Sequence, residues 1–176
     1  MRLREDYPQP RDPAHGEASV KILAAGINPV DYKAPKFLVG PIVGLDFCGI
    51  IEVAGEGSPF KEGDRVFGTT RGSLAEKALC KCSSMAIAPA DLSHEMSAAM
   101  PTAYVTSLQA LRDHGKLRPG GSVLIIGASG GCGLAGVQIA RALGAAKIVG
   151  VCSGKNREIV LEHGATDVID YNEKNF

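Results

Sequence analysis

The sequence predicts an α/β fold in two parts, a β-rich part followed by a part in which strands and helices alternate around a parallel sheet. Up to about residue 90, short strand-like segments separated by Gly and Pro turns recur at roughly ten-residue spacing, which is typical of an antiparallel sandwich or barrel. Beyond that point, apolar residues recur at helical spacing. There the β-branched run Ser122–Ile126 leads into a glycine cluster and a helix, the first half of a βαβ dinucleotide-binding unit.

The composition is that of an ordinary globular protein, with 45% apolar residues, 22% charged residues and a formal net charge of zero. A balanced charge gives no electrostatic basis for nucleic acid or an anionic membrane as the main partner. No apolar run approaches the length of a membrane span, and the first residues lack the apolar core of a signal peptide. We therefore expect a cytoplasmic protein, with the mitochondrion or a plastid as the alternative location.

The β-rich part is predicted to consist of strands joined by Gly and Pro turns. Val20 and Ile22 lie on one face of the first strand, which Gly26 ends. A turn over residues 27–33 opens a short helix or loop, and residues 34–43 form a longer loop. The predicted strands cover residues 18–24, 48–55, 63–68, 75–82 and 85–89.

The second part begins near Ser93, where the pattern becomes helical. Tyr104, Leu108 and Leu111 recur at i, i+4 and i+7 and predict a helix over residues 101–111. The central strand and its glycine turn follow, and then two further strands with a helix between them. The remaining strands are predicted at residues 122–126, 147–152 and 167–170. A helix follows the glycine turn, with Leu134, Val137, Ala140 and Leu143 at helical spacing, and a second covers residues 157–163.

The glycines after the central strand have separate expected tasks. Gly127 allows the tight turn off the strand, Gly130 and Gly131 let the backbone approach a pyrophosphate, and Gly133 lets the helix pack closely on the sheet. The helix N-terminus then offers N–H groups and a partial positive charge to phosphates. The spacing departs from G-x-G-x-x-G, and a strand–helix turn in another kind of α/β protein is the alternative.

The five cysteines do not form a zinc-binding pattern, because the pair Cys80 and Cys82 has no second pair or nearby His to complete a ligand set. Cys132 lies in the phosphate turn, where a helix N-terminus lowers the pKa of a thiol. A reactive redox thiol is one interpretation of Cys132. A small residue filling a tight turn is the other.

Five ordered segments of the sequence resemble signatures of the zinc-independent medium-chain dehydrogenases/reductases, in particular the quinone oxidoreductase branch with its zeta-crystallin-like and reticulon-interacting members. These segments are residues 25–33, 44–51, 60–68, 101–111 and 127–133. The resemblance implies a GroES-like β-barrel domain over residues 1–97, with its first strand missing. It also implies an incomplete Rossmann domain over residues 98–176, the first half of a doubly wound dinucleotide-binding sheet.

The resemblance also bears on metal binding. Related alcohol dehydrogenases hold a catalytic zinc with a Cys after the first strand and a His-Glu pair in the next motif. Here those places are taken by residues 28–31 and by Leu45 and Asp46, and the four-cysteine lobe of a structural zinc is absent from the sequence. Without thiolates or imidazole at these points, we expect no zinc.

The choice of cofactor follows from the end of the second parallel strand. An NAD enzyme carries an Asp or Glu there to bind the ribose 2′-hydroxyl, whereas this chain has Ser153 and Lys155, which donate to a 2′-phosphate. Tyr171 matches a position that closes over the same phosphate in the family. We expect NADPH; the alternative is that Lys155 and Arg157 form only a solvated helix start. The expected cofactor-binding residues are Thr106, Ser129, Gly130, Gly131, Cys132, Gly133, Ser153, Lys155 and Tyr171.

Asn28 and Tyr32 are the expected catalytic residues, because relatives direct these polar groups at the substrate or the nicotinamide. Without a metal, charge developing on a carbonyl oxygen must be stabilised by hydrogen-bond donors of this kind. Asn28 is equally explained as a turn residue before Pro29. Thr106, which matches a residue near the nicotinamide or its phosphates, is alternatively a helix-packing residue.

The function implied by the resemblance is hydride transfer from NADPH to a quinone or an α,β-unsaturated carbonyl, by an enzyme that is a homo-oligomer at full length. Family members are roughly twice as long, and a complete doubly wound sheet has six strands. One alternative is therefore a truncated, non-catalytic module that binds NADPH or pairs with another chain. A further alternative is an enoyl-thioester or alkenal reductase, which shares the same fold and cofactor.

Overall fold

A computed structural model describes residues 4–35 and 40–173 of the chain. It divides into two compact units, Met1–Thr102 and Ala103–Phe176. This division lies inside the first turn of a helix that begins at Pro101. The assignment of residues 1–97 and 98–176 to the two domains stays a prediction.

The first unit is built on a five-stranded antiparallel sheet with the strand order β4-β1-β2-β3-β5. One short helix, α1, follows β1, and a second, α2, follows β5; the predicted loop over residues 34–43 lies partly outside the described residues, at 36–39. The elements are β1 (Glu17–Gly26), α1 (Pro29–Lys33), β2 (Asp46–Ala54), β3 (Arg65–Thr69), β4 (Lys77–Lys81), β5 (Met85–Ile87) and α2 (His94–Ala99).

The larger buried cluster of this unit lies on one face of the sheet, and a smaller one, formed by Cys48, Ala88 and Ala98, lies on the other face. Val20 on β1 is fully buried, and Ile22 packs against the same cluster, as the alternation of the sequence predicted. The register between β1 and β2 shifts at two places, between Ser19 and Val20 and between Ile22 and Ala24. Such irregularities bend a strand and increase its twist, which helps a short sheet to curl around its core.

The second unit contains a three-stranded parallel sheet with the order β6-β7-β8. The register pairs Val123 with Ile148, and Val149 with Asp167. Helix α3 (Pro101–Leu108) enters the unit, and the remaining elements are β6 (Ser122–Ile126), α4 (Gly131–Ala142), β7 (Lys147–Cys152), α5 (Arg157–Glu162) and β8 (Asp167–Asp170). All three strands fall where the sequence predicted them.

One helix differs from its prediction. The helix predicted over residues 101–111 is α-helical only to Leu108 and continues as a π-helix, Gln109–His114. The π-helix ends with a hydrogen bond from the Gly115 N–H to the Ala110 carbonyl oxygen at 2.7 Å. Helix α4 begins at Gly131, so its N-terminus lies in the glycine turn, as the sequence predicts. No helix in the described part of the chain is long and apolar enough to cross a membrane.

Candidate functional site

The turn between β6 and α4 has the geometry that its glycines were expected to provide. Gly127 has a φ of +71°, and the Gly130 N–H closes the turn on the Gly127 carbonyl oxygen at 3.0 Å. A Cβ on Gly133 would overlap that same carbonyl oxygen and lie 2.7 Å from the Ala128 Cα. Only glycine therefore allows the first turn of α4 to lie this close to the end of β6.

The outer side of the turn is open. A Cβ on Gly131 would meet no atom within 4 Å, and Gly130, Gly131 and Cys132 are all exposed. The backbone N–H groups at the start of α4 carry the partial positive charge of the helix N-terminus. The arrangement leaves space for an anionic group at the position where a dinucleotide pyrophosphate binds in this kind of unit.

A side chain of α3 anchors the turn from within the same unit. The Ser107 hydroxyl donates to the Cys132 carbonyl oxygen at 2.8 Å, and Ser107 itself is 6% exposed. Sequence reasoning selected the neighbouring Thr106, which is exposed. The local sequence does not show which of these two adjacent hydroxyl residues contacts the glycine turn. That depends on which side chain of the folded helix faces the turn.

Three polar side chains meet where β6 and β7 end. The Asn156 amide nitrogen donates to the Ser129 hydroxyl oxygen at 3.1 Å and to the Ser153 hydroxyl oxygen at 3.2 Å. The two serines were predicted as cofactor-binding residues and the structure brings them together. Asn156 was missed; its spacing of three residues from Ser153 was the available signal, since such polar pairs often interact locally.

The charges around this cluster are of both signs. Lys155 is exposed, whereas the Arg157 guanidinium is held against β8 by its donation to the Val168 carbonyl oxygen at 2.8 Å. The Asp170 carboxylate, which sequence reasoning did not consider, packs next to Gly154 and would meet a Cβ placed there. The Asn172 backbone and side-chain amides both donate to Asp170 Oδ1 at 2.9 Å.

Tyr171 lies directly after β8 and is 52% exposed. Its N–H donates to the Cys152 carbonyl oxygen at 3.3 Å, which ties the residue to the end of β7. Burial raises the pKa of the Cys152 thiol, and the nearby negative charge of Asp170 raises it further. Cys152 is therefore a neutral, buried thiol beside the candidate site.

In the first unit, Asn28 belongs to a buried polar network at the end of β1. Its amide nitrogen donates to the Asp46 carboxylate at 3.0 Å. The Thr102 N–H donates to the same Asp46 oxygen at 3.0 Å, and the Thr102 hydroxyl donates to the other at 2.6 Å. Asp46 is 1% exposed, so these three donors replace the water that its charge would otherwise require.

Asp31 and Tyr32 lie on α1, next to Asn28. The Asp31 carboxylate accepts a hydrogen bond from the Asn28 N–H at 2.7 Å through one oxygen. Its other oxygen is buried and has no hydrogen-bond partner among the described residues. Tyr32 is 67% exposed, and the Lys33 ammonium lies 6.0 Å from the centroid of its ring. The two predicted catalytic residues thus have different surroundings, one anchored and one exposed.

Asn28 and Asp46 come from the two segments, residues 28–31 and 45–46, that the resemblance assigns to the zinc-ligand places of alcohol dehydrogenases. The Asn28 side-chain amide donates a hydrogen bond to the Asp46 carboxylate. Asp46 accepts hydrogen bonds from protein N–H and O–H groups on both carboxylate oxygens. Within residues 4–35 and 40–173, no three His, Cys, Asp or Glu side chains cluster in a way that could hold a metal ion.

Comparisons with known proteins extend these observations. Residues 14–107 match the alcohol dehydrogenase GroES-like domain family. The whole chain aligns at 38% identity with the quinone oxidoreductase of Rattus norvegicus and covers 56% of it. It aligns over 91% of its length, at 35% identity, with a chloroplastic quinone-oxidoreductase homolog of Spinacia oleracea and covers 54% of that protein.

Solved structures show the same fold. The quinone oxidoreductase of Escherichia coli, in a complex with NADPH, matches 96% of this chain with a TM-score of 0.84 and 32% identity; the match covers 54% of that chain. The quinone oxidoreductase of Coxiella burnetii matches 97% of this chain with a TM-score of 0.86 and 27% identity, and the match covers 58% of that chain.

The chain belongs to the medium-chain dehydrogenase/reductase family, as its motifs predicted. Quinone oxidoreductases are among the relatives that it resembles over its whole length. The predicted fold class, a GroES-like domain followed by an incomplete Rossmann-type sheet, is confirmed. The chain spans about half the length of these relatives, 56% in the case of the rat protein.

Proposed function

We propose that this chain belongs to an NADPH-dependent oxidoreductase. In this proposal it carries the site that binds the adenosine phosphates of the cofactor, and two catalytic residues, Asn28 and Tyr32. The observation that supports this most directly is the open glycine turn after β6 beside the serine pair and Lys155 after β7. The similar Escherichia coli quinone oxidoreductase was solved in a complex with NADPH, which supports the same cofactor for this chain.

The residues at this site fit NADPH. Exposed backbone at Gly130 and Gly131 suits a pyrophosphate, and Ser153 and Lys155 offer a hydroxyl and an ammonium group to a 2′-phosphate. Tyr171, exposed and tied to the end of β7, is proposed to cover that phosphate. NADPH, when bound, supplies the hydride and carries the redox chemistry.

We propose that the protein's residues orient the substrate and the cofactor and donate hydrogen bonds during the reaction. In this proposal, Asn28 and Tyr32 contact the substrate or the nicotinamide and donate to an oxygen on which negative charge develops. Asp46 accepts from one N–H of the Asn28 amide, and in this proposal the second N–H donates to the substrate oxygen. The proposed substrate is a quinone or an α,β-unsaturated carbonyl, because both accept a hydride and leave charge on an oxygen.

A non-catalytic NADPH-binding module is the second candidate. In this alternative the glycine turn and the serine pair bind NADPH, and Asn28 and Tyr32 take no part in a reaction. Reduction of an enoyl thioester or an alkenal is a further alternative, and homo-oligomer formation and a cytoplasmic location stay predictions. The enzyme and module proposals differ in one outcome, namely whether the purified chain oxidises NADPH when a quinone is present.

The test is a steady-state assay of NADPH oxidation with a quinone, and separately with an enone, in the presence of EDTA. We expect quinone-dependent loss of NADPH that EDTA does not reduce. The Tyr32→Phe and Asn28→Ala variants should lower kcat by about tenfold or more if each donates to the developing oxyanion. A chain that binds NADPH but oxidises none with any acceptor would instead support the non-catalytic module.

A further inference from the structure

The hydrogen bonds of Asn156 determine whether the hydroxyl groups of Ser129 and Ser153 act as donors or as acceptors. Asn156 Nδ2 lies 3.1 Å from the Ser129 hydroxyl oxygen and 3.2 Å from the Ser153 hydroxyl oxygen, and it is the donor in both bonds. A primary amide has two N–H groups, so this contact uses both of them. Each serine oxygen therefore accepts a hydrogen bond from the same nitrogen atom.

A serine hydroxyl has a single proton to donate. Because Asn156 already donates to both oxygens, neither serine can direct its proton at the amide nitrogen. Within the described residues, neither hydroxyl donates a hydrogen bond to another protein group. Both protons are thus left for a group outside the protein, and that group must be an acceptor.

Asn156 itself is firmly placed. It ends the short 3₁₀ turn after β7 and precedes α5, and its backbone N–H donates to the Ser153 carbonyl oxygen at 2.9 Å. The residue is half-buried. Its amide therefore links the turn after β6, which carries Ser129, to the loop after β7, which carries Ser153.

We propose that Asn156 is a positioning residue that presets Ser129 and Ser153 as a pair of O–H donors to the 2′-phosphate of NADPH. The proposal rests on the proposed function, since it assumes that this site binds the adenosine 2′-phosphate. A phosphate accepts hydrogen bonds only, so it complements two hydroxyls whose acceptor sites are already in use. Both oxygens lie within 3.2 Å of one nitrogen, which allows them to reach a single small anion.

The test compares two adenine nucleotides that differ in one group. Calorimetry on the chain measures the binding of 2′,5′-ADP, which carries the 2′-phosphate, and of 5′-AMP, which lacks it. Asn156→Ala should weaken 2′,5′-ADP binding by about threefold to tenfold and change 5′-AMP binding by less than about twofold, in line with the loss of oriented hydrogen bonds. Gln138→Ala is the matched control, because that amide donates only within its own helix, to the Leu134 carbonyl oxygen.

Asn156→Asp keeps the shape of the side chain but replaces its donors by acceptors. The two serine protons would then turn towards the aspartate, and binding of 2′,5′-ADP should fall further than in Asn156→Ala. To separate this effect from simple charge repulsion, each substitution is repeated in a Ser129→Ala/Ser153→Ala background. There Asn156→Ala should change 2′,5′-ADP binding by less than about twofold, because the groups through which it acts are gone.

Three outcomes would overturn the proposal. Binding of 2′,5′-ADP could be unchanged in both Asn156 variants, the two nucleotides could be weakened equally, or the losses could be fully additive with those of the serine variants. Equal weakening together with a lower melting temperature would identify Asn156 as a structural residue only. If the unmutated, folded chain binds neither 2′,5′-ADP nor NADPH, the proposed function fails first, and this inference fails with it.

Discussion

Asp46 is the residue on which the end of β1 depends most. It is a carboxylate at 1% exposure that accepts hydrogen bonds from Asn28 and from the backbone and hydroxyl of Thr102. The glycine before this turn shows how tightly the region is packed, since a Cβ on Gly26 would lie 2.6 Å from the Ala98 carbonyl oxygen and 3.1 Å from the Asp46 Cβ. The orientation of Asn28 is therefore a property of this network.

Replacing Asp46 by Ala should lower the free energy of unfolding by about 1–3 kcal/mol, because it leaves the half-buried donors of Asn28 and Thr102 without this acceptor. Denaturant unfolding measures this change. The control is Asp64→Ala. This substitution removes the acceptor of a single hydrogen bond, from the Lys61 N–H, at a site that is more exposed than Asp46. Equal losses of stability in the two variants would contradict the role assigned to the Asp46 network.

The cysteines differ sharply in their chemical surroundings. Cys48, Cys80 and Cys152 are buried, Cys82 is intermediate and Cys132 is exposed in the glycine turn. Burial raises the pKa of Cys80 to about 12, and it also raises the pKa of Cys48 and of Cys152. A thiol whose pKa is raised stays protonated until the pH approaches that value, so it is a poor nucleophile near neutral pH.

We expect iodoacetamide at about pH 8 to alkylate Cys132 first in the folded chain, and Cys48, Cys80 and Cys152 only after denaturant is added. Raising the pH by one unit should not expose Cys80 to reaction, since its pKa of about 12 lies well above that range. Peptide mass spectrometry identifies the modified residues. Alkylation of Cys80 in the native chain at the rate of Cys132 would contradict the burial of Cys80 in the core of the first unit.

At the scale of elements, the contact between β6 and α4 depends on one glycine. A Cβ on Gly133 would overlap the Gly127 carbonyl oxygen, whereas a Cβ on Gly136, one turn later, would make ordinary contacts, the nearest at 3.5 Å to the Ile125 Cδ1. Both glycines are buried in the same helix. They therefore form a matched pair for testing the close approach of the helix to the turn.

Gly133→Ala should cost more than about 2 kcal/mol of stability, because either the helix or the turn must move to relieve the overlap. Gly136→Ala should be neutral or stabilising by up to about 1 kcal/mol, since alanine favours the helix and the space is available. Thermal unfolding of the two variants checks both predictions. A Gly133→Ala chain as stable as Gly136→Ala would contradict the packing described for this turn.

The sequence predicts elements well where the side chains repeat regularly. All three strands of the parallel sheet follow from short runs of β-branched and other apolar residues, and the glycines that flank the first run predict the turn at Gly127. The π-helix over Gln109–His114 does not follow from the sequence, because its residues keep a helical pattern. A π-helix differs from an α-helix in the spacing of its backbone hydrogen bonds, such as that from the Gly115 N–H to the Ala110 carbonyl oxygen, and side-chain periodicity does not show that spacing.

The candidate site was predicted only in part, for a related reason. The glycines and the serine pair lie in recognisable motifs, but the groups that hold them come from elsewhere in the chain. Asn156 is 27 residues from Ser129, and Thr102 is 56 residues from Asp46. Contacts over such separations exist only once the chain has folded, and no local pattern encodes them.

On the scale of the whole chain, helix α4 covers one face of the parallel sheet, and the opposite face of β6 carries exposed apolar residues. Val123 and Ile125 pack into that core, so Leu124 and Ile126 lie on the opposite face of β6, where they are 51% and 68% exposed. In a complete doubly wound sheet the first strand lies in the middle, with neighbours on both sides. Within the described residues, β6 pairs only with β7.

We expect the site proposed at the end of β7 to select NADPH over NADH. The serine pair and Lys155 favour the 2′-phosphate, and the Asp170 carboxylate beside Gly154 opposes it, so the balance must be measured. The most direct measurement is calorimetric titration of the chain with NADPH and with NADH, for the unmutated protein and for Lys155→Ala. We expect NADPH to bind at least about tenfold more tightly, and Lys155→Ala to remove most of that preference while leaving NADH binding unchanged. Equal affinities for the two cofactors, or tighter binding of NADH, would contradict the claim.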